Sequence, residues 1–221
     1  MHKNLLIKSI IISSIILIYI YSKYYNIKSY EEQHIRILRE TSAECTLFLN
    51  KNDEFPINNP CNVLLIGSGA RNTLKGGLGS GDVESSYFTT CEEGLEKAGF
   101  KITSKNWLKE YIKLKEEKAI EEINYIKDLD NKIKAFQPFY MVSFPEYEYN
   151  LQIEDKEKEA DIAIYVLSRV SGEGLDRRLI KGDILLTDKE IKDILYLNNK
   201  YKKFMLVLNV CGVVDLSPVN I

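Results

Sequence analysis

Ile162-Ala-Ile-Tyr-Val-Leu167 leads, after Ser168, Arg169 and Val170, into Ser171-Gly-Glu-Gly-Leu-Asp-Arg-Arg178. Six largely apolar residues in a row have the length and character of a strand buried on both faces. The octapeptide that follows is poor core material. Its carboxylate, Glu173, sits between two glycines, with Asp176, Arg177 and Arg178 close behind. It reads as a carboxyl group held on a loop at a strand end, which general acid/base chemistry requires. A polar turn with surface ion pairs accounts for the same residues.

Three further runs of strand length lie outward from it: Asn62-Val-Leu-Leu-Ile66, Phe100 to Ser104, and Phe204 to Asn209. Helical segments alternate with them. Thr90 caps a short helix from Cys91 to Ala98, which Gly99 closes. A long charged helix runs from about Asn106 to Phe136, with Ala119, Ile123, Ile126 and Ile133 spaced to pack on one face, and Pro138 ends it. Thr187-Asp-Lys-Glu190 is a capping box opening a helix to about Lys202, and Ser29-Tyr-Glu-Glu32 opens another through about Leu49. Phe139 to Lys158, aromatic and acidic, reads as a long loop over one face. The alternation predicts an α/β fold: a three-layer sandwich with a mostly parallel sheet and helices on both faces.

Right-handed crossovers bring all strand C-termini to one edge. Gly67–Asp82, Ser168–Arg178 and the segment after Asn209 therefore converge where open α/β sheets bind ligands. No helix follows the last strand, so the sheet is expected to be incomplete at its C-terminal end, with an edge left bare.

Three parts are expected along the chain. Residues 1–28 form an N-terminal hydrophobic helix, a membrane anchor or signal segment. Residues 29–60 are a lead-in helix and connector, and residues 61–221 are the α/β domain. Leu5 to Tyr21 carries one charge, Lys8, whose stem can snorkel. No small-residue cleavage site follows. The segment is thus expected to stay as an anchor with the remainder outside the cytoplasm, the alternative being a secreted product.

A net charge of −2, with no basic patch interleaved with aromatics, excludes a nucleic-acid partner. His2 and His34 are the only histidines and both precede the α/β part, which removes Ser-His-Asp, Cys-His and His-based metal schemes. Acid/base chemistry therefore falls to carboxylates. Cys45, Cys61, Cys91 and Cys211 lie far apart with no CxxC pair, so buried free thiols are expected, with a Cys45–Cys61 bridge left open. No cofactor and no metal-ligand cluster is indicated.

Two glycine-rich loops follow the first strand. Gly67-Ser-Gly-Ala70 lacks the third glycine and the immediate helix of a dinucleotide fingerprint, and no GxxxxGK[ST] pattern occurs. Lys75-Gly-Gly-Leu-Gly-Ser-Gly-Asp82 is costly to order, which makes sense where a ligand or another domain approaches the backbone. Lys75, Ser80 and Asp82 offer donors and acceptors for hydroxyl groups. A surface linker is the bland reading of the same stretch.

In order and spacing, Leu64-Leu-Ile-Gly-Ser-Gly-Ala-Arg71, Lys75-Gly-Gly-Leu-Gly-Ser-Gly-Asp-Val83, Glu93-Gly-Leu95, Trp107-Leu108 and Ser168-Arg-Val-Ser-Gly-Glu-Gly-Leu-Asp-Arg177 resemble the C-terminal-type α/β sandwich domain of glycoside hydrolase family 3. Gly182-Asp183, Leu186, Glu190 and Val207-Leu-Asn209 continue the resemblance, and Arg39-Glu-Thr-Ser-Ala-Glu44 and Pro56 resemble the family's lead-in. The resemblance spans roughly residues 35 to 217. It implies a retaining, β-glucosidase-like hydrolysis of O-glycosidic bonds, with a β-glucoside-like carbohydrate as substrate. Glu173 is then the acid/base, Arg169, Asp176 and Arg177 support its loop, and Lys75, Gly76, Gly77, Ser80 and Asp82 line the cleft. The family's nucleophile is an Asp in a separate (β/α)8 barrel, which has no counterpart here, so a barrel is expected in cis or in trans. The alternative is a membrane-anchored domain that binds carbohydrate or scaffolds a partner without catalysis.

Overall fold

The computed structural model describes residues 29–50, 54–83, 85, 88–133, 144–172, 174 and 176–220. The chain divides into two compact units, Met1–Asn52 and Asp53–Ile221. In the first, helix α1 spans Ser29–Thr41 and a 3-10 turn spans Ser42–Cys45. The helix stops short of Leu49 because its last residues turn to local bonds: Thr41 Oγ1 donates to Ile37 O at 2.9 Å and Ser42 Oγ to Arg39 O at 3.1 Å. The expected hydrophobic helix over Leu5 to Tyr21 lies outside the described residues. Among the described residues, no helix is long and apolar enough to cross a membrane.

The second unit is built on a parallel sheet in the order β2-β1-β3-β4, with β1 Asn62–Ile66, β2 Lys101–Ile102, β3 Ile162–Arg169 and β4 Phe204–Val210. Helices α2 (Cys91–Lys97), α3 (Lys105–Ile133) and α4 (Asp188–Lys200) connect the strands. Val63–Ile66 and Ile162–Leu167 are no more than 6% exposed, as continuous apolar strands buried on both faces must be. The chain steps from β1 out to β2, then back past β1 to β3 and on to β4. Right-handed crossovers in that order put α2 on one face and α3 with α4 on the other. A shared cluster joins the latter two. Trp107 and Tyr111 of α3 stack at 5.2 Å, Tyr149 meets both edge-on, and its hydroxyl reaches Tyr165 of β3 and Asp193 of α4.

Two elements depart from the sequence pattern. The strand expected over Phe100 to Ser104 is two residues long, because Ser104 turns away to begin α3. Its hydroxyl then takes over the bare edge of β1, accepting from Leu65 N at 2.9 Å and donating to Leu65 O at 2.5 Å. The packed face of α3 is its beginning, Trp107, Leu108 and Tyr111, whereas Ala119 and Ile123 are exposed and Ile126 farther along is buried; the side chain of Ile133 lies outside the described residues. At 29 residues α3 is about 43 Å long. The eight residues of β3 span about 27 Å, so the helix overshoots the sheet. All four cysteines are free, Cys45 exposed and the others half-buried, so neither the Cys45–Cys61 bridge nor full burial holds. Cys61, Cys91 and Cys211 stand at element ends, where the backbone leaves the core.

Candidate functional site

The strand order reverses at β1, which opens a crevice outside the C-terminal ends of β1 and β3. Gly67 leaves β1 with φ +102°, and a Cβ there would stand 2.5 Å from Val166 O, so only glycine lets the first loop lie on β3. Gly69 N donates to Val166 O at 3.0 Å, and Ser168 N donates to Ser68 Oγ at 2.9 Å. Thr73 Oγ1 donates to Gly69 O at 2.7 Å and accepts from Cys91 N at 2.9 Å. Asn209, near the end of β4, grips Leu74 with both halves of its amide: Oδ1 accepts from Leu74 N at 2.5 Å and Nδ2 donates to Leu74 O at 3.3 Å. The second glycine-rich loop then folds toward the loop after β3. Leu78 pairs with Gly172, and Leu78 N donates to Ser171 O at 2.8 Å.

Between these loops lies a shallow cleft of about 390 Å³, walled by Gly77, Leu78 and Ser80 on one side, Ser171 and Gly172 on another, and Cys211 after β4. Of the residues singled out from sequence, Gly77 and Ser80 line it. A Cβ on Gly77 would stand 2.8 Å from Ser171 O, and one on Gly76 would stand 2.4 Å from Gly81 O, so both positions need glycine for close approach. Lys75 turns back on its own loop, donating to Val83 O and to Ser85 Oγ at 3.2 Å and lying over the Phe88 ring. Asp82 is exposed, its N–H donating to Gly79 O at 3.0 Å. Glu173 lies outside the described residues, and Ser171 and Gly172 just before it are part of the wall.

Behind the wall the charged groups are buried and paired, save that Glu190 Oε1 has no hydrogen-bond partner among the described residues. Arg169, 4% exposed, donates to Glu190 Oε2 at 2.6 Å, to Asp183 O at 3.0 Å and to Ser168 O at 2.8 Å. Arg177 pairs with the Asp183 carboxylate and donates to Asp183 O at 2.8 Å and to Cys211 O at 3.1 Å. Asp176 is exposed and makes no ion pair among the described residues. Burial pushes the Asp183 carboxyl upward, but hydrogen bonds from Arg177 and the Arg178 N–H outweigh it and hold the group below the usual carboxylate range. Glu190 is the opposite case: burial holds its carboxyl above the usual range even though Arg169 pulls it down. Sequence reasoning read Glu190 as a helix cap, which it is, accepting from Thr187 N at 2.8 Å. Its pairing with Arg169, and the parts played by Asp183, Asn209 and Thr73, were not read. The available signal was an arginine at the end of a wholly buried strand, which calls for a buried carboxylate nearby.

Five large apolar side chains stand exposed in the segments at this sheet edge: Val83 and Phe88 after β1, Leu179 and Ile180 after β3, and Val213 after β4.

Comparison with known proteins bears on the same residues. The family model described as "Glycosyl hydrolase family 3 C-terminal domain" matches residues 45–221. Beta-glucosidase A of Butyrivibrio fibrisolvens is 29% identical, over 84% of this chain and 24% of that protein. Two structures of beta-glucosidase 3B from Thermotoga neapolitana, in complex with α-D-glucose and with glucose, superpose with TM-scores of 0.60 and 0.62 at 27% and 28% identity. Each is matched over 86% of this chain and 26% of its own, so the chain spans about a quarter of the length of these relatives. On the match over residues 45–221 and this agreement of fold, the chain belongs to glycosyl hydrolase family 3 and carries that family's C-terminal domain.

Proposed function

We propose that this chain forms one wall of a β-glucosidase-type active site and supplies its acid/base carboxyl, Glu173, while the nucleophile comes from a separate (β/α)8 barrel. The reaction is retaining hydrolysis of terminal, non-reducing β-linked glucosyl or related residues. Glu173 protonates the leaving oxygen as the nucleophile takes the anomeric carbon, then takes a proton from the water that releases the sugar. The observation that carries the reading is the meeting of Ser171 and Gly172, directly before Glu173, with the glycine-rich loop and Cys211 at one cleft. Two features support the need for a partner. A retaining reaction requires a second carboxyl about 5–5.5 Å from the first, which the family resemblance puts on the barrel, and the exposed apolar side chains at this edge suit the docking of another domain.

In the complete protein, Glu173→Gln is expected to lower turnover on natural disaccharides by about 10²–10⁴-fold, and azide to restore part of it on activated aryl glucosides. Unchanged turnover on disaccharides removes Glu173 from the role. Glucoside binding that persists with no hydrolysis in any form of the protein favours the non-catalytic, carbohydrate-binding alternative.

We further propose that Leu5 to Tyr21 holds the protein to a membrane with the α/β domain outside the cytoplasm, on the strength of its apolar run. Carbonate-resistant membrane association that is lost on deleting residues 1–28 is the expected result. Recovery of the intact chain in the soluble fraction overturns it.

A further inference from the structure

Both ends of the loop that walls the cleft are tied to one residue. Arg169, which closes β3, donates from Nε to the Asp183 carbonyl oxygen at 3.0 Å. Arg177, at the loop's far end, donates from Nη2 to that same oxygen at 2.8 Å, and its Nε pairs with the Asp183 carboxylate. The second carboxylate oxygen accepts from the Arg178 N–H at 3.0 Å and from Arg178 Nε at 3.4 Å. The loop after β4 is drawn into the same knot: Arg177 Nη1 donates to Cys211 O at 3.1 Å, and Cys211 N donates to Arg169 O at 2.8 Å. Asp183 is 5% exposed, so these are bonds of the interior and not the weak pairs of a wet surface. Its own place is fixed from behind. Gly182 has φ +81°, a Cβ there would stand 2.0 Å from Glu146 O, and Glu146 N donates to Gly182 O at 2.7 Å. Arg169 is anchored in turn by Glu190, which is fully buried.

Here the arginines and the amide that meet Asp183 belong to the two ends of a single loop. We propose that Asp183 is the positioning residue of the cleft, fixing where Arg169 and Arg177 stand and so the reach of Ser171 and Gly172 toward Leu78. The inference rests on the reading that this loop presents the acid/base carboxyl, and it adds the group that holds that loop in place.

Asp183→Asn keeps the shape and the backbone carbonyl but loses the charge that holds Arg177. Arg177→Lys keeps the charge but loses the planar fork. In the 221-residue chain, amide exchange within residues 170–178 and 211–214 is expected to quicken about tenfold or more in both variants, while β1 and β3 keep their protection. In the complete enzyme, kcat on glucosides with poor leaving groups, which need the proton, is expected to fall about 100-fold. The fall on activated aryl glucosides is expected to be far smaller, with KM little changed. Loop exchange that stays unchanged, or that rises equally through the sheet, overturns the proposal, as does equal loss on both substrate classes in Asp183→Asn when Glu173→Gln does show leaving-group dependence. If the loop loosens but neither Asp183→Asn nor Glu173→Gln shows leaving-group dependence, the acid/base assignment fails and the hold of Asp183 on the loop stands.

Discussion

Glu92 stands in the first turn of α2, where an acidic residue is ordinary, but it is 6% exposed and receives two cations. Arg71, from the loop after β1, pairs with it through Nε and Nη2, and Lys105, from the start of α3, donates at 2.6 Å. One carboxylate thus ties three segments together. Burial pushes Glu92 upward, while the bonds from Arg71 and Lys105 outweigh it and leave the group below the usual carboxylate range. A carboxyl depressed by folding stabilises the native state above its unfolded pKa, and that contribution is lost as pH falls through the folded value. Glu92→Gln is therefore expected to lower stability by about 2 kcal/mol near neutrality. The difference from wild type should shrink as the pH drops below the ordinary carboxylate range. Urea titrations at a series of pH values check this, and a difference constant down to strong acid would contradict it.

At the scale of elements, the start of α3 shows how a cap comes from elsewhere in the chain. Ser104 sits at the cap position but spends its hydroxyl on Leu65 of β1. The free N–H of Trp107 is met instead by Glu157, from the segment before β3, at 2.9 Å. Glu157 is 1% exposed and its other oxygen accepts from Glu154 N at 3.0 Å. Glu157→Ala leaves a buried N–H without an acceptor and is expected to cost about 2 kcal/mol, read as a lower urea midpoint with an unchanged slope. A midpoint equal to wild type would show that water reaches Trp107 N. The caps of α2 and α4, by contrast, are closed by their own sequences: Thr90 with Glu93 and Thr187 with Glu190 form complete capping boxes.

At the scale of the whole second unit, the sheet order brings three chain-distant segments to one edge. No single segment makes the cleft. The Gly67–Asp82 loop contributes one wall and the glycines that permit close approach, the loop after β3 contributes Ser171 and Gly172, and the turn after β4 contributes Cys211. Among the described residues β4 is the edge strand opposite β2, and its residues after Phe204 are half-buried, in contrast to the mostly buried β1 and β3. Val83, Phe88, Leu179, Ile180 and Val213 stand exposed in the segments that leave the sheet at the same edge as the cleft.

The sequence by itself determined whatever depends on near neighbours. The extents of β1, β3 and β4, the capping boxes at Thr90 and Thr187, and the parallel α/β order were legible to within a residue or two. Burial on both faces, side-chain capping and the alternation of strands with helices leave local marks. The convergence of the Gly67–Asp82 and Ser168–Arg178 loops on one edge followed from crossover handedness alone. Only the tertiary structure decided which side chains those loops turn inward. Lys75 closes on Val83, Arg169 finds Glu190, and Arg177 finds Asp183, because a charged group leaving water takes whichever partner the packing brings within reach. The shortness of β2 and the early packing of α3 have the same origin. Ser104 is recruited by Leu65, and the helix loses its apolar cover where the sheet beneath it ends. Partners separated by tens of residues leave no periodicity in the chain, and only the fold makes them neighbours.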